Sequence, residues 1–187
     1  MIITSTEIPY VKLLTPEIYF DKRGYFYESF NLKKLRAAGI VFTPVQVNCA
    51  FSQKRGTLRG IHFQDGLLCQ AKIVKCVKGA VLDYAVDLRK SSPTYSKYIC
   101  RELTESNQMM LFIPKGFGHA VISLEDNSII EYMVDNPYSP KDEKTVVFKD
   151  STLGIDWPFP TEEIIVSEKD ASAPSLDNLT YKFEEVL

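Results

Sequence analysis

The chain has 187 residues, of which 45% are hydrophobic, and this is enough apolar sequence for one globular domain of ordinary size. Its formal net charge is −2 and its 22 lysines and arginines are scattered, which argues against a nucleic acid or an anionic membrane as partner. The apolar runs are short, the N-terminus lacks a signal-peptide pattern, and the four cysteines have no C-x-x-C spacing. We therefore expect a single domain over residues 1–187, in the cytoplasm, with reduced thiols.

Strands dominate the pattern along the chain. Short apolar runs cut by turn signals at a spacing of about 8 to 12 residues, with frequent Val, Ile and aromatic residues, predict an all-β sandwich or barrel. One helix is predicted from about Leu32 to Ala38, with Asn31 as its N-cap and Gly39 at its end. Short turns are predicted after Thr161 and at Ser139–Pro140.

The segment Asp21–Glu28 is predicted as a hairpin, because alternating aromatic residues follow a turn centred on Arg23–Gly24. A pyrophosphate group needs cations, and three others could join Arg23 in holding one: Arg59, Lys72 and Lys169. The glycine-rich loops of ATPases and of Rossmann enzymes do not occur, so phosphates would have to be held by side chains. Nucleophilic acyl transfer has no support either, since no G-x-S-x-G motif is present.

The chain contains only two histidines, which limits its chemistry. His62 lies in the predicted strand Leu58–Gln64. Alternation along this strand predicts one face with Leu58, Gly60, His62 and Gln64 and another with Arg59, Ile61 and Phe63. A single histidine in a strand is most often a hydrogen-bonded core residue.

His119 ends a P-x-G-x-x-H turn that is similar to the second motif of the cupin barrels. Metal-binding cupins usually hold their metal with three histidines and a carboxylate, and this chain has only one other histidine. We therefore expect no metal, and we expect His119 to orient a loop or to line the pocket.

The segment Gln70–Leu88 is predicted as a hairpin closed at Lys78–Gly79, because two apolar runs flank that pair. In such a hairpin Lys72 and Asp83 would be diagonal neighbours among small apolar groups. The opposite face is also mainly apolar. A sheet that is apolar on both faces needs further cover, from a second layer or from a partner subunit.

Tyr132 and Tyr138 are further candidates. Most tyrosines in β-rich cores serve in packing. A phenol whose pKa lies near 10 can nevertheless donate a proton to a carbanion if it is held on the correct face.

Taken together, these segments resemble the dTDP-4-dehydrorhamnose 3,5-epimerases of bacterial deoxysugar synthesis, from about Thr15 to Leu187. The resemblance rests on these stretches: Asp21-x-Arg23-Gly24-x-Phe26-x-Glu28, Gln46-x-Asn48, Leu58–Gln64, Gln70–Val74, Gly79–Arg89, Ser92–Tyr95, Ile113–His119, Tyr138–Pro140, Gly154–Pro158 and Ser167–Asp170. It implies an all-β, metal-free cupin-type jelly-roll barrel with a few short helices. It also implies a homodimer in which N-terminal strands are exchanged.

The resemblance implies a chemistry as well. The substrate would be dTDP-4-dehydro-6-deoxy-D-glucose, whose C4 ketone acidifies the hydrogens at C3 and C5, and the product dTDP-4-dehydro-L-rhamnose. His62 would be the base, oriented by Asp170. Lys72 would stabilise the enolate oxygen, and Tyr132 would return a proton on the opposite face. No cofactor is required, because the ketone itself is the electron sink.

Binding roles follow from the same resemblance. Arg59, with Arg23 of the partner subunit, would hold the pyrophosphate, and His119 would lie near the sugar. The remaining implied substrate-binding residues are Phe26, Glu28, Gln46, Asn48, Tyr138, Glu143 and Lys169.

Several positions depart from the family pattern, namely Ala50, Ala120–Val121, Met133 and Pro137. They leave open a sister enzyme that epimerises C3 or C5 alone on a related nucleotide-linked 4-keto-6-deoxysugar. A non-catalytic sugar-nucleotide binder is a second alternative, although it would have no use for the four implied catalytic residues together. A metal-dependent cupin oxygenase or isomerase is a third.

Overall fold

Strands make up most of the regular structure in residues 1–183, the part of the chain that this computed structural model describes. The last four residues of the domain predicted over 1–187 lie outside the described part. The strands are β1 (Ile2–Ser5), β2 (Lys12–Thr15), β3 (Ile18–Asp21), β4 (Gly24–Tyr27), β5 (Gln46–Ser52), β6 (Leu58–Gln64), β7 (Lys72–Lys78), β8 (Ala80–Asp87), β9 (Tyr98–Thr104), β10 (Met110–Ile113), β11 (Phe117–Ser123), β12 (Ser128–Val134) and β13 (Glu143–Thr145). The helices are α1 (Leu32–Ala37) and α2 (Glu168–Ala171), and short 3-10 turns occur at Gly66–Leu68, Thr161–Glu163 and Leu176–Asn178.

Two antiparallel sheets pack face to face and form a jelly roll. One sheet has six strands in the order β1-β2-β10-β7-β12-β5, and the other has five in the order β13-β6-β11-β8-β9. Strands β3 and β4 form a separate hairpin. This architecture confirms the all-β fold predicted from the strand pattern and the cupin-type jelly roll that the family resemblance implies.

Apolar side chains pack on both faces of each sheet. The core between them includes Val74, Val81 and Val121. On the outer face of the six-stranded sheet, Leu35 of α1 packs in a second cluster with Ile73. The outer face of the five-stranded sheet is covered by the C-terminal segment, through the side chains of Leu153, Ile164, Leu176 and Tyr181. These covering layers explain why the strands are apolar on both sides.

The hairpin predicted over Gln70–Leu88 is wrong. Strand β7 pairs with β10 and β12 in one sheet, whereas β8 pairs with β9 and β11 in the other. Gly79, with φ +75°, lies where the chain crosses between the sheets, and a Cβ there would lie 2.7 Å from Oγ of Ser128. Val74 and Ala85, predicted on one face of this hairpin, lie instead on different sheets and belong to the same core cluster between them.

The helix and the hairpin predicted near the N-terminus are present, but the hairpin turn lies at Lys22–Arg23, one residue before the predicted Arg23–Gly24. Helix α1 ends at Ala37, one residue before the predicted end, and the Asn31 side chain accepts a hydrogen bond from the Lys34 backbone N–H at 3.0 Å. Strands β3 and β4 pair from Asp21 opposite Gly24 outward, as expected for a hairpin. None of the helices in residues 1–183 combines the length and the apolar character needed to cross a bilayer.

Candidate active site

A β-bulge in β6 determines which side chains enter the cleft between the sheets. His62 pairs with His119 on β11, but Arg59 pairs with Val121, so β6 accommodates one extra residue between these two pairs. Gly60 lies in the bulge with φ +127°, and a Cβ there would lie 2.6 Å from the carbonyl oxygen of His119.

The strict alternation predicted for β6 is therefore wrong. Ile61 and Phe63 share a face, as predicted, and pack in the outer core, but Leu58 joins them there instead of sharing a face with His62. Arg59, predicted on the face opposite His62, lines the same cleft as the imidazole. The extra residue at the bulge shifts the register by one position, so Leu58 and Arg59, which precede the bulge, lie on the opposite faces from those predicted.

His62 forms a hydrogen bond with a buried carboxylate on helix α2. Its Nε2 lies 2.7 Å from Oδ1 of Asp170, and the other carboxylate oxygen faces the Gly60 backbone N–H at 3.4 Å. Ser167 caps α2 by accepting a hydrogen bond from the Asp170 backbone N–H at 3.1 Å. Burial raises the pKa of Asp170, but the contacts with His62, Gly60 and Ser167 outweigh it and hold the pKa below its ordinary value. An ionised Asp170 fixes the proton of neutral His62 on Nε2 and leaves Nδ1 as the basic nitrogen.

A second histidine–carboxylate pair lies beside the first. Nε2 of His119 is 2.6 Å from Oδ1 of Asp83, and both residues are buried. Burial lowers the pKa of His119, and the neighbouring Asp83 only partly offsets this effect. His119 is therefore a neutral side chain near pH 7, as expected for a residue that lines the pocket.

Lys72 is a buried cation in the same cleft. Burial lowers its pKa to about 8, against the opposing effect of the negative charges of Asp83 and Glu143. Its ammonium nitrogen lies 5.7 Å from the centre of the Tyr132 ring. Lys72 and Asp83 lie on different sheets, so the diagonal strand pair predicted for them is wrong; their attraction acts across the barrel interior.

Tyr132 reaches the cleft from the sheet opposite His62. It lies on β12, and the centre of its ring is 6.3 Å from that of His119. Burial raises the pKa of its phenol. The cleft is thus bounded by an imidazole–carboxylate pair on one side and by a protonated phenol on the other.

The cleft has two lobes that meet at His62, Lys72 and Tyr132. The first lobe, of about 390 Å³, also contains Arg59 and Asp170. The second lobe, of about 280 Å³, is rich in amide side chains. Eleven of the fourteen site residues predicted from the sequence line one lobe or both: Gln46, Asn48, Arg59, His62, Lys72, His119, Tyr132, Tyr138, Glu143, Lys169 and Asp170.

Hydrogen bonds connect the polar residues of the second lobe and its entrance. Glu143 accepts a hydrogen bond from the Tyr138 hydroxyl at 2.9 Å and contacts the Lys169 ammonium group. Burial alone would raise the pKa of Glu143, but these two partners lower it overall. Gln46 accepts from the Tyr138 backbone N–H at 3.0 Å and donates to Asn48 at 2.7 Å. The cluster offers amides, a carboxylate and a cation to a polar ligand.

Three predicted residues lie away from the cleft of their own chain. Arg23 is exposed at the tip of the β3–β4 hairpin, where it forms an ion pair with Asp21 at 2.6 Å. Phe26 is 70% exposed on the same hairpin, and Glu28 pairs with Lys34 at 2.9 Å. Their roles in binding remain predictions, and for Arg23 the predicted role is in the cleft of a partner subunit.

Sequence reasoning missed other residues of the cleft wall. One local signal was available, since Ser167 three residues before Asp170 is typical of a helix N-cap. The other missed residues have apolar or small side chains, and no local signal in the sequence indicates that they line the cleft. Tertiary packing brings them there: Ala50, Thr57, Val121, Ile130, Ile165 and Val166. Among residues 1–183, no group of three or more His, Cys, Asp and Glu side chains is arranged to hold a metal ion.

Comparisons with known proteins agree closely with this fold. The family model described as dTDP-4-dehydrorhamnose 3,5-epimerase matches residues 5–178. The dTDP-4-dehydrorhamnose 3,5-epimerase of Salmonella typhimurium is 41% identical over 178 residues, which cover 95% of this chain and 96% of the relative.

Solved structures of similar proteins superpose over nearly the whole chain. The crystal structure of dTDP-4-dehydrorhamnose 3,5-epimerase from Elizabethkingia anophelis NUHP1 has a TM-score of 0.92 at 39% identity, covering 97% of this chain and 99% of that one. The dTDP-6-deoxy-D-glucose-3,5-epimerase from Legionella pneumophila Philadelphia 1, in complex with dTDP-4-keto-L-rhamnose, has a TM-score of 0.90 at 37% identity. That alignment covers 95% of this chain and 94% of the other.

Proposed function

The chain belongs to the dTDP-4-dehydrorhamnose 3,5-epimerase family, and from this membership we propose that it converts dTDP-4-dehydro-6-deoxy-D-glucose into dTDP-4-dehydro-L-rhamnose. It is an isomerase of dTDP-L-rhamnose biosynthesis that inverts the configuration at C3 and C5. One observation carries the proposal: an imidazole–carboxylate pair and a protonated phenol enter one cleft from opposite sheets.

The first step is removal of a proton next to the C4 ketone. Nδ1 of His62 takes the proton from C3 or C5, and the electron pair of the C–H bond moves to the ketone oxygen to give an enolate. Asp170 stabilises the imidazolium that forms, because it already accepts a hydrogen bond from Nε2. The Lys72 ammonium group stabilises the enolate oxygen, and burial strengthens this interaction.

The second step is return of a proton to the opposite face of the same carbon. The Tyr132 hydroxyl donates it, the enolate collapses to the ketone, and the configuration is inverted. The raised pKa of Tyr132 keeps the phenol protonated until the enolate forms. Exchange with solvent then removes the extra proton from His62 and restores that of Tyr132. Because the substrate ketone accepts the electron pair, the chemistry requires no cofactor.

The polar clusters of the cleft suit the rest of the substrate. Arg59 provides a guanidinium fork for a pyrophosphate oxygen, and Lys169 supplies a second cation close by. The amide groups of Gln46 and Asn48 can bond the hydroxyl groups of a sugar or the edge of a base. His119, neutral and bonded to Asp83, lies where the sugar would be held.

We propose further that the enzyme works as a homodimer. The β3–β4 hairpin exposes Phe20 and Phe26, and β5 is an edge strand with Val47 and Phe51 exposed on its outer face. Exposed aromatic rings and an unpaired strand edge favour association with a second copy. In that assembly Arg23, which lies away from the cleft of its own chain, would reach the pyrophosphate bound in the cleft of the other subunit.

A cytoplasmic location is supported by the state of the cysteines. All four are free thiols in the described part of the chain. Burial raises the pKa of both Cys69 and Cys76 to about 11, which disfavours the reactive thiolate. Unpaired thiols of this kind are typical of the reducing cytosol.

The test is incubation of the purified protein with dTDP-4-dehydro-6-deoxy-D-glucose in D2O, followed by NMR and mass spectrometry. We expect deuterium at both C3 and C5, together with product that a 4-keto reductase can trap. Deuterium at one carbon alone would identify the single-site sister enzyme. Absence of exchange, with dTDP still bound, would favour a non-catalytic binder.

A further inference from the structure

The buried side chain of Gln64 forms hydrogen bonds with two loops of the cleft wall. It lies on β6 two residues beyond His62 and is 3% exposed. Its amide nitrogen donates to the carbonyl oxygens of Leu68 at 2.6 Å and Pro137 at 3.1 Å. Its amide oxygen accepts from the Ser139 backbone N–H at 2.7 Å. Both donors and the acceptor are therefore used on backbone groups.

The two loops lead to residues of the cleft. Residues 65–71 connect β6 to β7, which begins at Lys72. Residues 135–142 connect β12 to β13 and carry Tyr138, whose hydroxyl donates to Glu143. Gln64 also pairs with Glu143 in the register of β6 and β13. One side chain thus links the strand of the proposed base to both loops.

The side-chain hydrogen bonds made directly between these two loops each link one residue of the first loop to one residue of the second. Asn136 donates to the Cys69 carbonyl oxygen at 2.8 Å, and Gln70 donates to the Asn136 carbonyl oxygen at 2.8 Å. Within residues 1–183, only the Gln64 amide forms hydrogen bonds with the residues on both sides of Tyr138, namely Pro137 and Ser139. A carboxylate at this position could accept but not donate, and an aliphatic side chain could do neither.

We propose that Gln64 is a positioning residue for the nucleotide side of the substrate: it fixes the backbone on both sides of Tyr138, and so sets the second lobe to fit the nucleoside end of the substrate. The inference rests on the proposed function. All polar atoms of the Gln64 side chain are engaged away from the His62 imidazole, so its effect is on binding and not on proton transfer.

The first test is Gln64→Met, which keeps the length of the side chain and removes all three hydrogen bonds. We expect KM for the nucleotide sugar and Kd for dTDP, from calorimetry, to rise together by about tenfold, with kcat changed by less than about twofold. The matched control is Asn107→Leu. The Asn107 amide also makes three backbone hydrogen bonds, in the β9–β10 turn outside the cleft lining, so this variant should keep KM and Kd.

A double-mutant cycle tests whether Gln64 acts through Tyr138. In a Tyr138→Ala background, Gln64→Met should cause little further rise in Kd, because the ring that Gln64 positions is gone. Additive effects, a fall in kcat at constant KM, or an unchanged Kd would each overturn the proposal. If Gln64→Met does not fold, Gln64→Glu replaces it: that variant keeps the acceptor for Ser139, loses both donors, and should also raise Kd.

The dTDP measurement separates this inference from the proposed function. If the wild-type protein binds dTDP but leaves the proposed substrate unchanged, the proposed function fails. The effect of Gln64→Met on Kd for dTDP can still be measured, and it tests the positioning role independently. If dTDP does not bind the wild-type protein at all, both fail together.

Discussion

Nε2 of His62 and Oδ1 of Asp170 are 2.7 Å apart, although 108 positions separate the two residues in the chain. The contact joins strand β6 to helix α2, and a second link between the same segments lies nearby. The Leu58 backbone N–H donates to the Ile165 carbonyl oxygen at 2.8 Å. The segment before α2 is therefore held against β6, and this aims the carboxylate at the imidazole.

Asp170→Asn should lower kcat by about 10²- to 10⁴-fold, because the amide cannot stabilise the imidazolium and allows the wrong tautomer of His62. His62→Asn should cause a loss of similar size. Steady-state kinetics measures both, and Kd for dTDP should stay within about twofold of the wild type. The matched control is Asp177→Asn, an exposed carboxylate on a 3-10 turn. An equal loss of kcat in that control would contradict the role given to the pair.

Tyr132→Phe should separate proton removal from inversion. His62 remains, so the substrate should still exchange hydrogen with D2O, whereas the epimerised product should form at least about 100-fold more slowly without the proton donor. NMR of the recovered sugar reports both quantities. Tyr98→Phe, on the five-stranded sheet and outside the cleft lining, is the control. Loss of exchange and inversion together would argue against separate base and acid.

The lowered pKa of Lys72 predicts an alkaline limit to activity. Below about pH 8 the amine is protonated and can stabilise the enolate oxygen; above this pH it is neutral and cannot. We expect kcat/KM to fall as the pH rises through about 8.

Lys72→Met should lower kcat by roughly 10²- to 10³-fold, and its kcat/KM should no longer fall as the pH rises through about 8. The exposed Lys97→Met is the control and should retain the wild-type profile. If the alkaline fall in kcat/KM persisted in Lys72→Met, it would be due to a group other than Lys72.

Asp87 predicts a contribution to stability that depends on pH. It is fully buried at the end of β8, and its carboxylate accepts hydrogen bonds from Arg89, Ser92 and Thr94. Burial raises its pKa, but these partners outweigh burial and hold the pKa below the ordinary value of 3.8. The stabilisation is therefore present at neutral pH and is lost as the pH falls through the lowered pKa of the folded state.

Asp87→Asn should lower the free energy of unfolding at pH 7 by about 2 to 4 kcal/mol, since it leaves Arg89 without its anion. Urea unfolding at neutral and acidic pH measures this, and the deficit should shrink in acid. Asp126→Asn breaks an exposed pair with Lys54 and should cost less than about 1 kcal/mol. Equal costs for the two variants would refute the argument.

Features encoded by neighbouring residues could be predicted from the sequence. Helix α1 follows from an asparagine cap, an apolar face at Leu35 and a terminal glycine, all within one short segment. The β3–β4 hairpin likewise has its turn between its strands. Strand partners are not local. Strands β7 and β8 adjoin in sequence but lie in different sheets, where β7 pairs with β10 and β12 and β8 pairs with β9 and β11.

The candidate site could be predicted only through the resemblance to a family. His62, Lys72, Tyr132 and Asp170 lie on four separate elements, and no spacing in the sequence indicates that they meet. The bulge at Gly60 escaped prediction for a further reason. A glycine in a strand permits a bulge without requiring one, so the face that Arg59 occupies was decided by pairing with β11.

The separation of His62 and Tyr132 onto two sheets has a consequence for stereochemistry. Strands β6 and β12 share no ladder of hydrogen bonds, so the gap between the proposed base and the proposed acid is set by the side chains that fill the interior, Val121 and Ile130 among them. A one-methylene change there can shift this gap while both reactive groups and both sheets stay intact. We therefore expect core volume beside the cleft to influence the stereochemical outcome even where the proposed reactive residues are unchanged.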